Sequence, residues 1–95
     1  MNVVFHAGAL IDFNESVDWY AKRSVVAARR FVVAVDSAIE RIVARADEMA
    51  FLDAEHQECP IKRFPFRIVF RNLSGELLIV AIAHAKRKPR FWHGR

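Results

Sequence analysis

The spacing of apolar residues changes once along this chain, from a helical step to an alternating one, and that change restricts the folds open to it. Between residues 28 and 46, Ala28, Phe31, Val32, Val35, Ile39, Ile42, Val43 and Ala46 recur every three or four positions, with Arg29, Asp36, Glu40 and Arg41 largely off the stripe. This is the period of a helix with one buried face, running to about Asp47. From residue 66 the step is two. Phe66, Ile68 and Phe70 fall on one side and Arg67, Val69 and Arg71 on the other, which describes a strand with one half-polar, cationic face.

The remaining segments fit around these two. "NVVFH" at residues 2–6 suits a short strand by its Val and Phe content. From about Ala9, Leu10, Phe13, Val17 and Tyr20 trace a second amphipathic helix. Lys22, Arg23 and Ser24 interrupt it, and Ser24 is placed to cap the next helix, which predicts a helical hairpin. Residues 48–60 lose the period, collect acids and end at Pro60, so they are expected to form an irregular connection. "IKRF" and "FRIVFRN" read as strands, "NLSGE" as a turn, and "LLIVAIAH", apolar on both faces, as a strand inside a sheet.

The order strand, helix, helix, strand, strand, strand cannot place helices on both faces of a parallel sheet. The economical solution is an α+β fold: an N-terminal strand, a helical hairpin and a three-stranded antiparallel meander, with the helices on one face. The other face is expected to be open and to display Arg67, Val69 and Arg71. With 95 residues, no repeats and no linker, the chain is expected to be one domain over residues 1–95. The only cysteine, Cys59, has no intramolecular partner, and Asp12 interrupts the apolar N-terminal stretch early. Both point to a soluble cytoplasmic protein without a membrane association.

Charge is divided along the sequence. Residues 1–59 hold six Lys/Arg against ten Asp/Glu, net −4, and residues 60–95 hold nine against one, net +8. A half this basic is expected to attract a polyanion or an acidic protein. The charge is densest in "HAKRKPRFWHGR", residues 84–95, where Lys86, Arg87, Lys88 and Arg90 surround Pro89, Phe91 and Trp92. The aromatic pair has two readings, as packing that fastens the tail to the sheet or as anchors for a target. His6, His56 and Cys59 match no zinc spacing, and neither a Gly-rich phosphate loop nor a Ser-His-Asp signature occurs. No metal and no cofactor are expected.

"FPFRIVF", "AIAH" and "KRKPRFWHGR" resemble the C-terminal half of the RelE/ParE superfamily of bacterial toxins. The shared order falls at Phe64, Pro65, Phe66, Arg67, His84, Arg87, Pro89, Phe91, Trp92 and Arg95, with Ala9, "DF" at 12–13 and "WY" at 19–20 as weaker support. The resemblance implies the toxin of a type II, plasmid-stabilisation type module that inhibits growth until a cognate antitoxin neutralises it in a hetero-oligomer. Its target is DNA gyrase in one branch and mRNA on the ribosome in another. As an mRNA endoribonuclease it would need Arg67 and Arg87 as phosphate-binding cations, with proton transfer by His84, His93 or Lys62. RelE-like nucleases commonly carry a Tyr near the C-terminus, where this chain has Phe91 and Trp92. As a gyrase inhibitor it would use Lys62, Arg63, Arg71, Lys86, Lys88, Arg90, Phe91 and Trp92 as a docking surface. A basic nucleic-acid-binding domain without toxicity is the third possibility.

Overall fold

The computed structural model describes residues 2–95. β1 (Asn2–Phe5) leads at once into α1 (Ala7–Ala21), whose N-terminus is capped by His6: its Nδ1 accepts the Gly8 N–H at 2.9 Å. Ser24 caps α2 (Val25–Arg45) as the sequence predicts, its Oγ accepting the Ala27 N–H at 3.1 Å. A 3₁₀ turn (Ala46–Glu48) follows. Then come β2 (Ala50–Phe51), β3 (Gln57–Ile61), β4 (Phe66–Leu73) and β5 (Glu76–His84). Gly75, at φ 77°, makes the β4–β5 turn in a region that L side chains avoid.

The sheet has five strands in the order β1-β5-β4-β3-β2. The meander β3-β4-β5 is antiparallel, and β1 joins β5 in parallel. Both helices lie on one face. Phe31, Val35, Ala38 and Ile42 of α2 pack with Ile68 and Phe70 of β4 and Leu77, Ile79 and Ile82 of β5 into the main core. At one end of that core Tyr20, Phe31, Phe64 and Phe66 form an aromatic cluster with ring centroids 5.0–6.4 Å apart.

Three expectations need correction. The 48–60 segment is not an irregular connection throughout, because β3 starts at Gln57 and ends at Ile61, where the strand had been expected to begin. Gln57, Cys59 and Ile61 do alternate inward. The alternation is masked because an amide occupies the first slot: Gln57 is buried and its Nε2 donates to the Ala46 carbonyl at 2.6 Å. Pro60 lies beyond the reach of two-residue β2, at the sheet edge, where a missing N–H is tolerated.

The helical wheel of α1 is also rotated from its expected setting. Leu10 is 46% exposed, whereas Asp12 is buried. Finally, the second face of the sheet is not open. Val69↔Ala81 is followed by Phe70↔Ile79, so Val80 is an extra residue in β5. This bulge lets Val80 and Ala81 both join Val69 and Ala83 in a second apolar cluster, closed by Trp92 and flanked by Leu52, Leu78 and Phe91. "LLIVAIAH" is apolar on both sides because each side has its own cover.

Candidate target-binding site

After His84 the chain leaves the sheet through short turns. The Ala85 N–H reaches the Pro65 carbonyl at 2.8 Å, Arg87 N–H the His84 carbonyl at 3.0 Å, and His93 N–H the Arg90 carbonyl at 2.8 Å. Arg90 (φ 58°) and Gly94 (φ 91°) make the sharp reversals. The segment folds back over the second face, and Trp92 is 1% exposed there. Trp92 is therefore a packing residue and presents no free ring to a target. Its indole lies 4.6 Å from the His56 ring, centroid to centroid.

A short acidic loop holds this tail in place. Asp53 Oδ1 accepts the Glu55 and His56 N–H groups at 2.8 and 2.7 Å, and the carboxylate meets His56 Nδ1 at 3.0 Å. The Glu55 N–H above all, with the His56 contacts, holds the Asp53 carboxyl well below the usual carboxylate range, although partial burial opposes the shift. Arg90 spans to Asp53 Oδ2 and to the Leu52 carbonyl, both at 3.3 Å.

The charge division along the sequence is thus partly undone in space. Arg90 pairs with Asp53, Arg71 with Glu55 at 3.1 Å and Arg67 with Glu58 at 3.1 Å. The carboxylate that Arg67 requires comes from β3, next to it in the sheet, rather than from the basic half of the chain. Among the described residues, Lys86, Arg87 and Lys88 form no ion pair, and all three are exposed. They make a cationic rim where β5 ends.

Beside the rim a cleft of about 520 Å³ is lined by Glu58, Arg67, His84, Arg87, Lys88 and Arg90, among others. Arg67, Arg87 and His84 are therefore brought together, as the nuclease reading requires. His93 is exposed and outside that lining. Lys62 and Arg63 belong elsewhere, in a groove of about 1010 Å³ against α2 with Val26, Arg29, Arg30 and Val33. Tyr20, from α1, lines a second cleft of about 560 Å³ together with His84, Lys86 and Arg87, and burial raises its phenol pKa. His84 Nδ1 accepts the Lys86 N–H at 3.0 Å, so its neutral ring carries the proton on Nε2. In that state Nε2 can donate a hydrogen bond but has no lone pair with which to take a proton from a 2′-hydroxyl.

A family model described as "ParE toxin of type II toxin-antitoxin system, parDE" matches residues 3–89, from β1 to the turn that carries the rim. The chain belongs to the ParE toxin family. It is the ParE branch of the superfamily, not the RelE-like nucleases, that this match describes. ParE membership makes the chain the toxin partner of a type II pair and implies an antitoxin. The fold agrees with a solved chromosomal ParDE toxin–antitoxin system from P. aeruginosa, with a TM-score of 0.74, 19% identity, and coverage of 88% of this chain and 95% of that one. A search of curated proteins found no match. Residues 90–95 lie beyond the ParE match, and they include Trp92, which closes the second face.

Sequence reasoning had no direct signal for Asp53, His56 and Glu58, the residues that hold the tail and quench its neighbouring cations. The acids of residues 53–58 were visible, but their pairing with residues 67–90 depends on how β3 lies against β4.

Proposed function

We propose that this chain arrests bacterial growth by docking on DNA gyrase through the rim of Lys86, Arg87 and Lys88, without cleaving RNA. The observation that carries this reading is the state of the cleft. Arg67 is neutralised by Glu58, and the Nδ1 lone pair of His84 is engaged by a backbone N–H. These contacts disfavour an assembled acid–base pair and leave the rim as a surface for a partner. Phe91 lies under Arg87, with its ring centroid 3.9 Å from the guanidinium carbon, and supplies the aromatic part of that surface.

The antitoxin of this pair is proposed to lay an amphipathic helix with acidic flanks in the groove along α2. Val26 and Val33 are 55% and 64% exposed there, and Arg29, Arg30, Lys62 and Arg63 ring them. Toxin, antitoxin and gyrase would meet in the cytoplasm. Two assays test the mechanism: supercoiling by purified gyrase with added toxin, and primer extension on mRNA after induction. Inhibited supercoiling with intact mRNA is expected. Cleavage of mRNA on translating ribosomes, abolished by His84→Gln or His93→Gln, would instead establish a nuclease.

A further inference from the structure

Asp12 is an acid buried on α1, and the reason is found at the edge of β5. The parallel pairing of β1 ends at Phe5↔Ile79, with the His6 N–H on the Ile79 carbonyl at 2.9 Å. Beyond that point Asp12 takes over the edge. Its Oδ2 accepts the Ile82 N–H at 3.2 Å, and the same carboxylate receives Arg95, Nη1 on Oδ2 at 2.7 Å and Nη2 on Oδ1 at 3.3 Å. Arg95 Nη1 also donates to the Val80 carbonyl at 3.1 Å. The guanidinium fits because residue 8 is glycine: a Cβ there would stand 2.5 Å from Arg95 Nε and 2.6 Å from Cζ.

Arg95 also touches the tail. Its guanidinium carbon lies 5.2 Å from the centroid of the Phe91 ring, the same ring that carries Arg87 at 3.9 Å. A continuous series of contacts therefore runs from Asp12 through Arg95 and Phe91 to Arg87. We infer that Asp12 is a positioning residue which, in the space left by Gly8, holds Arg95 and through Phe91 sets the place of Arg87 on the cationic rim. The inference rests on the reading of that rim as the toxic surface.

Gly8→Ala is the selective probe. Gly8 is helical, so alanine favours the fold of α1 while displacing Arg95. Removing Arg87 and Gly8 singly and together, in the full chain, makes a double-mutant cycle. Gly8→Ala is expected to stay folded, to melt below the parent because displacing Arg95 leaves the buried Asp12 carboxylate without its partner, and to weaken gyrase inhibition about tenfold, equivalent to ~1.4 kcal/mol. In the Arg87→Ala background it should weaken inhibition no further, whereas a merely structural effect would add. In a Trp19→Phe background, where Trp92 is the only tryptophan, its emission reports whether the tail remains docked.

A folded Gly8→Ala protein with parental potency overturns the inference, as does a loss that adds in full to that of Arg87→Ala. Should Gly8→Ala not fold, Arg95→Lys keeps the charge but loses the fork, and the same cycle with Arg87→Ala applies. If the parent arrests growth without inhibiting gyrase, the target reading fails and the cycle, scored on growth, still decides the positioning role. If Arg87→Ala keeps parental potency, the rim reading fails and the inference with it.

Discussion

Replacing Trp92 by alanine tests whether the tail is a structural layer of the domain. The side chain is 1% exposed and covers Val69, Val80, Ala81 and Ala83. A buried tryptophan removes about 150–250 Å² from water, or ~4–6 kcal/mol at roughly 25 cal/mol per Å². Two features reduce that figure. The indole N–H is buried with no acceptor among the described residues, which costs about 1–3 kcal/mol. The segment also packs in a cluster separate from the main core, so it can peel away without opening that core. The expected loss is therefore about 3 kcal/mol, which for a domain of this size corresponds to a fall in Tm of ~12–24 °C. Urea denaturation followed by far-UV circular dichroism measures it. A loss below about 1 kcal/mol would show that the second face does not need its cover, and would refute the two-cluster account of the fold. Any loss of toxicity in this variant would then have to be read through the position of the tail, because Trp92 offers no surface of its own.

Arg87→Ala should relieve growth arrest more than Arg67→Ala, since Arg67 is already paired with Glu58. Both should change stability by no more than about 1 kcal/mol, because each side chain is substantially exposed; equal relief would deny the ranking. The depressed carboxyl of Asp53 makes stability depend on pH in the acid range. Its contribution is complete above the unfolded carboxylate value of about 4 and is lost as pH falls through the lower folded value. Asp53→Asn should flatten the fall in the urea midpoint below pH 4, and an unchanged slope would contradict the loop geometry. Ser24→Ala should cost about 1 kcal/mol through the lost cap of α2, again by urea denaturation, and no measurable change would refute the cap.

The architecture could be read from the sequence wherever a local pattern answers to a local cause. The stripe from Ala28 to Ala46 requires a helix with one buried face, Ser24 caps it, and Phe66, Ile68 and Phe70 alternate toward the same core. Where one residue answers to a distant one, the pattern misleads. Asp12 looks like a solvent-facing acid on a wheel and is buried because the free edge of β5 and Arg95, 83 positions away, both need its oxygens. Gln57 hides the start of β3 because its amide serves the end of α2.

The tail quoted from the sequence shows the same division within twelve residues. Its charge and aromatic content were evident from composition, and the order of its residues resembles that of the toxin superfamily. Which cations remain available was a matter of tertiary structure alone: strand pairing carries Glu58 to Arg67, and the 52–56 loop carries Asp53 to Arg90. An ion pair is decided by separation in space, and sequence distance says nothing about it until the sheet has closed.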